Sequence, residues 1–169
     1  AWGSTFSALE VVPLVFVAYP ALEDLRMSKA TAWVCKYQWP IYFFVAVAFW
    51  NMVGAGLFGF MINPPIALYY MQGLNTTPLH AHAALFGVYG MLGIGLMLMC
   101  LRAILPGLVW KEGMVKFAFW AMNIGLLAMC VLSLLPVGLM QTWASVEKGY
   151  WYARSPEFLH ADVMQTLRW

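Results

Sequence analysis

Four apolar stretches, separated by short polar ones, organise this chain. They cover roughly residues 2–20, 40–62, 78–101 and 115–140. A helix of about 20 apolar residues crosses a bilayer core, so each stretch has the length of a membrane span or nearly so. The first is the shortest and carries Glu10 and Pro13. The second is closed by Asn63-Pro64-Pro65. The third follows Thr77, which fits a helix N-cap, with Pro78 at the first helical position. The fourth contains Pro136, where a kink is expected. Residues 143–169 are mixed and aromatic; they read as an interfacial tail with a short helix starting near Pro156. The pattern predicts an all-α integral membrane protein with about four transmembrane helices, part of a larger helical bundle.

Composition agrees. Of 169 residues, 63% are hydrophobic and only 9% charged, where a soluble domain has about a quarter. A net charge of +2 gives no basis for nucleic-acid binding. Cys35, Cys100 and Cys130 have no metal-ligand spacing and are expected to be packing residues. Residues 2–20 have no basic stretch before them and no cleavage site, so they read as a span and not as a secretory signal. The missing initiator Met and the abrupt end after "MQTLRW" are expected of a piece of a longer protein. Loop charge orients the spans. Arg26, Lys29 and Lys36 lie in the first loop, Arg102, Lys111 and Lys116 in or beside the third, and none in 63–77. The first and third loops are therefore expected on the cytoplasmic side, and the N-terminal end of the third helix on the outer side. Lys148 and Arg154 in the tail weaken that bias without reversing it.

The chemistry concentrates in "NTTPLHAHAALFGVYG", residues 75–90. Histidine is rare in an apolar helix unless it has a partner. His80 and His82 are two apart, so they point about 200° from one another on an α-helix. One ion on both would call for a spacing of four; a spacing of two serves a separate centre on each side. Haem fits, since its iron takes an axial imidazole. Its ring could pack on the small residues Ala81, Ala83, Ala84, Gly87, Gly90, Gly93 and Gly95, with Phe86 and Tyr89 among them. The plainer alternative is a pair of hydrogen-bonded histidines beside a helix-packing row of Gly and Ala. Glu10 poses a similar choice. A carboxylate in an apolar helix is paired, protonated or beside a wet cavity, where it could handle protons, unless its segment lies at the surface. Asn51 and Asn123 fit helix–helix hydrogen bonds, His160 fits an ordinary surface position, and the twelve Met fit core filling.

Three segments carry a family resemblance: "FSALEVVPL", "INPPIALYYMQGLNTTPLHAHAALFGVYGMLGIGLMLMCLR" and "GLMQTWASVEKGYWYARSPEF". They resemble the bacterial quinol-dependent nitric oxide reductases of the haem–copper oxidase superfamily, over the C-terminal part of the catalytic subunit. The resemblance implies that His80 is the axial ligand of a high-spin haem b, that His82 ligates a low-spin haem b, and that Glu10 supplies protons near the reaction centre. It implies a non-haem iron whose ligands lie outside this chain, as does the second ligand of the low-spin haem. The implied partners are nitric oxide, quinol, the upstream part of the same subunit and the lipid bilayer, with room for a homodimer and none for nucleic acid. The implied location is the bacterial inner membrane. An O2-reducing terminal oxidase, a di-haem electron carrier without enzymatic activity and a haem-free transporter are the alternatives; the transporter gives no reason for the histidine pair.

Overall fold

The computed structural model describes residues 2–9, 12–13, 16, 19, 32–107 and 109–167. Among them there are helices and connecting turns and no strand. In chain order the helices are α1 (Trp2–Leu9), α2 (Ala32–Lys36), α3 (Gln38–Ile62), α4 (Pro65–Met71), α5 (Thr76–Ile104), α6 (Glu112–Lys148), α7 (Pro156–Leu159) and α8 (Asp162–Leu167), with a single 3₁₀ turn at Tyr152–Arg154. Among the described residues, α3, α5 and α6 are long and apolar enough to cross a membrane. The span expected at 2–20 is described as α1, with Val12, Pro13, Phe16 and Tyr19 beyond it; its remaining residues lie outside the described ones.

Each long helix stops where its sequence withdraws support. After α3, Pro64 is extended, with φ −53° and ψ 141°. The α-region is disfavoured before a proline, and α5 accordingly ends before Leu105-Pro106, with Leu105 at φ −119° and ψ 69°. Gly149 closes α6 at φ +94°, a conformation that glycine adopts readily. Residues 143–148, expected in the interfacial tail, belong to α6 instead. The helix expected at Pro156 is present, and Ser155 Oγ caps it by accepting from Phe158 N at 3.3 Å. The start of α5 differs from the expectation. Thr76 is its first residue, Thr77 lies inside it, and Pro78 is third. Thr77 is not the cap because its hydroxyl accepts from Gly73 N at 2.9 Å, in the loop before the helix.

One π segment interrupts each long helix: Asn51–Phe58 in α3, Leu85–Gly90 in α5 and Met129–Leu134 in α6. The last runs up to Leu135-Pro136, so the expected disturbance at Pro136 takes this form. Proline has no N–H for the helix ladder, and a widened turn is one way to absorb the loss.

Helices α3 and α5 run antiparallel. Gln38–Trp50 lies beside Met91–Ile104, and Asn51–Phe58 beside Thr76–Ala84. Their common core is Phe43, Ala46 and Trp50 against Leu79, Ala83 and Met91, closed by Leu126 and Cys130 of α6. The backbones approach closely enough to require glycine. A Cβ at Gly54 would sit 2.7 Å from Ala83 Cβ, one at Gly87 2.6 Å from Trp50 Cγ, and one at Gly95 2.9 Å from Phe44 Cε1. Trp50 Nε1 donates to Asn123 Oδ1 at 3.0 Å, and Asn123 Nδ2 to Phe119 O at 2.8 Å, so Asn123 ties helices as its position predicted.

The small-residue row of α5 therefore divides. Ala83, Gly87 and Gly95 form a helix-packing surface. That corrects the expectation that the whole row could face a flat cofactor: the space beside these three is filled by α3. A Cβ at Gly93 would meet nothing within 4 Å. Cys130 packs in the core, whereas Cys35 and Cys100 are exposed, which corrects the packing role expected of those two. His160 is exposed, as expected.

Alanine at Gly87 must displace Trp50, so Gly87→Ala should destabilise the protein by about 1–3 kcal/mol. Gly93→Ala should leave stability unchanged within about 0.5 kcal/mol. Unfolding in detergent, followed by Trp fluorescence against temperature or denaturant, distinguishes the two.

Candidate functional site

The first turns of α5 carry both histidines, on different sides. His80 is half-buried against α3, and its Nδ1 donates to the carbonyl of Gly54 at 2.8 Å. His82 is exposed, and its Nδ1 donates to Pro78 O of its own helix at 2.8 Å. A carbonyl only accepts, so Nδ1 carries the proton in each ring. In the neutral imidazole, Nε2 then holds the free lone pair. Metal-ligating histidines are prepared in this way: the second nitrogen donates to a carbonyl, fixing tautomer and orientation.

The surroundings of the two rings differ. His80 stands between α3 and α5, where Gly54, Gly56 and Gly59 of α3 are all buried. Segment α1 packs beside Gly59–Ile62 and α4. His82 heads an exposed stripe of α5 that continues through Leu85, Phe86, Tyr89, Gly93, Leu96 and Met97. This stripe is apolar, and with Gly93 it has room for a flat group.

The loop that leads into α5 is held by the tail. Gln72 O accepts from Tyr150 Oη at 2.8 Å and from Arg154 Nη2 at 2.6 Å. The Arg154 guanidinium lies over the Tyr150 ring, 4.2 Å from its centroid. Gly73 adopts φ +68°, and a Cβ there would lie 2.6 Å from Arg154 Nη2. Gln141 of α6 bridges the two segments. Its Oε1 accepts from Asn75 N at 2.9 Å, and its Nε2 donates to Ala153 O at 3.2 Å. Thr76 is buried, and its hydroxyl donates to Met71 O at 3.3 Å. Thus α5 starts from a clamped loop, and the position of His80 is fixed from both ends.

Among the described residues no three or more His, Cys, Asp or Glu come together as a metal site. Each imidazole thus stands without a further pair of His, Cys, Asp or Glu to complete a protein-only metal site among the described residues. A family model described as cytochrome c and quinol oxidase polypeptide I matches residues 1–169. The chain belongs to this family. Cytochrome c and quinol oxidase polypeptide I is a multi-pass membrane oxidoreductase of the haem–copper oxidase superfamily, and its members normally bind haem.

The residues fit that group. Haem iron is already held by four ring nitrogens, so the protein owes it an axial base, and a neutral imidazole with Nδ1 anchored and Nε2 free is one. His80 and His82 each have the form of such a base, with Nδ1 on a carbonyl. Glu10 lies outside the described residues, so its surroundings are not part of this geometry.

Sequence patterns singled out neither Gly54 nor Gly59. "VGAGLFGF", residues 53–60, is glycine-rich within a span, and that was the available signal. The clamp on Gln72 works through a backbone carbonyl, which no residue type announces. Gln141→Leu should leave Asn75 N and Ala153 O unpaired, at about 1–3 kcal/mol for each buried group. Hydrogen exchange should then speed up in peptides covering 72–80 while those covering Phe43–Trp50 keep their protection.

Proposed function

We propose that this chain is the haem-ligating part of a quinol-dependent nitric oxide reductase, which combines two NO with two electrons and two protons to give N2O and water. The observation that carries the reading is the histidine pair: two imidazoles on opposite sides of one helix, each with Nδ1 on a carbonyl and Nε2 available. In this reading His82 would hold a low-spin haem b and His80 a high-spin haem b, which would supply the route for electrons from quinol, and a non-haem iron would be held by residues outside this chain. The irons supply one-electron chemistry when bound.

What the chain contributes is spacing and orientation. The rigid first turns of α5 fix the separation of the two ligands. The carbonyls of Gly54 and Pro78 hold each ring in the tautomer that presents Nε2. The exposed stripe below His82 offers an apolar wall. Glu10 is proposed as the proton-handling group. That role rests on the resemblance of "FSALE" to the nitric oxide reductases and on the cost of an unpaired carboxylate in an apolar stretch.

The proposed setting is the bacterial inner membrane. Arg102 Nε donates to Lys36 O at 3.1 Å, so the basic residues at the ends of α2 and α5 meet at the C-terminal end of α5. The histidines lie at its other end. The positive-inside tendency then directs the histidine end outward. Nitric oxide, quinol, the upstream part of the subunit and the surrounding lipid are the proposed partners.

Reduction of O2 is the second reading, favoured by the word oxidase in the family description. Assaying the purified enzyme with reduced quinol separates the two. Nitric oxide consumption with release of N2O supports the reductase; O2 consumption with no N2O overturns it. In the same enzyme His82→Ala should remove the six-coordinate low-spin spectrum and retain high-spin haem. Both haem signals surviving unchanged would show that His82 is not a ligand.

Glu10→Gln keeps the side-chain shape and removes the titrating proton. General acid–base groups contribute about 10²–10⁴-fold. Turnover should fall within that range at unchanged haem content, and full activity would make Glu10 a bystander.

A further inference from the structure

His80 is held at two points of α3, and only one of them is a hydrogen bond. The first is the Gly54 carbonyl, 2.8 Å from Nδ1. The second is the room left by the missing side chain of Gly59. A Cβ built there would lie 3.1 Å from His80 Cε1 and 3.4 Å from Nδ1, with Asn63 Nδ2 next at 3.8 Å. The edge of the imidazole thus rests where a side chain would begin.

Gly54 and Gly59 are five residues apart. On an α-helix that separation turns them about 140° away from a common face. Gly54 lies within the π segment Asn51–Phe58, and Gly59 is the residue that follows it. A π turn bonds residue i to i+5, which brings positions five apart back towards one face. The widened turn therefore lets a carbonyl and the room left by a missing side chain of the same helix face one ring.

We propose that Gly59 is a positioning residue for His80: together with the Gly54 carbonyl it sets the plane of the imidazole, and through it the direction of Nε2. The hydrogen bond alone leaves the ring free to rock about the Nδ1–O line. The space that the missing Cβ of Gly59 leaves along the Cε1–Nδ1 edge sets the plane the ring can take. Gly54 is excluded as a test position because a Cβ there strikes Ala83 and would part the helices. At Gly59 the described atoms nearest to a new methyl belong to the His80 ring itself, so the substitution addresses the ring directly.

This inference rests on the reading of His80 as an axial ligand. The test uses the haem-loaded enzyme and three substitutions. In Gly59→Ala the iron–histidine stretching band of the reduced high-spin haem, read by resonance Raman, should shift, and turnover should fall roughly 10- to 100-fold, as for other changes behind a metal ligand. The low-spin spectrum assigned to His82 should be unchanged and serves as internal control. Gly125→Ala on α6, where a methyl meets nothing, should change neither. An unshifted band at full haem content in Gly59→Ala overturns the proposal. Loss of high-spin haem alone supports it, and equal loss of both haems overturns it in favour of general packing. If Gly59→Ala does not accumulate, His80→Gly is added. Recovery to the level of His80→Gly alone shows that the methyl acts through the ring, and no recovery overturns the proposal. Haem absent from the unsubstituted enzyme would instead defeat the functional reading, a separate outcome.

Discussion

The approach of Gly54 to Ala83 governs what the rest of this molecule can do. With a hypothetical Cβ of one residue only 2.7 Å from the Cβ of the other, α3 and α5 touch backbone to side chain, with nothing larger between them. That contact brings the Gly54 carbonyl within hydrogen-bond reach of His80. It also aligns Gly87 with Trp50 and Gly95 with Phe44 along the same seam. In lipid there is little hydrophobic drive between helices, so close van der Waals packing through small residues carries association. Here the seam has a second use, because the surface that joins the helices also presents a backbone acceptor to an imidazole.

The polar groups follow one rule throughout. In apolar surroundings an unpaired donor is costly, and the partners used are mostly backbone carbonyls. Gly54 O and Pro78 O serve the histidines, Gln72 O serves Tyr150 and Arg154, and Phe119 O serves Asn123. A carbonyl that takes part in a regular helix is turned along the axis, so a lateral donor reaches it best at helix ends, in loops or at irregular turns. Gln72 lies at the C-terminal end of α4 and Gly54 in a π segment, whereas Pro78 and Phe119 lie in regular helix and are reached by a side chain four residues on in the same helix. The acceptors that bind another segment, Gly54 O and Gln72 O, thus sit at irregular or terminal backbone.

How much of this the sequence discloses depends on the range of the interaction. The three long helices follow from apolar length, and the end of α3 from Pro64; the last turns of α6, residues 143–148, do not, because their composition is mixed and aromatic. The opposed directions of His80 and His82 follow from local helix geometry, and a helix tie by Asn123 follows from the cost of an amide in an apolar span, though its partner Trp50 does not. The partner of His80 does not follow, because it is a glycine carbonyl 26 residues away whose availability depends on the register of a π segment. The N-cap at Thr77 fails for a related reason: the hydroxyl had two backbone amides to choose from, and the loop's amide at Gly73 took it. The small residues of α5 look alike in sequence, yet Gly87 is filled by Trp50 while Gly93 is open; only the placement of α3 separates them.

The two histidines, alike in the sequence, are held by different kinds of structure. His82 takes its carbonyl from four residues earlier in its own helix, so its orientation is set wherever that helix forms. His80 takes its carbonyl from another helix, so its orientation is set only when α3 and α5 dock. Local bonds form with the helix, whereas the interhelical one reports tertiary packing. A shift of α3 relative to α5 would therefore alter the direction of His80 while leaving His82 untouched. Two imidazoles that share one helix can in this way be oriented separately, and a spacing of two residues is what puts one inside the helix seam and the other outside it.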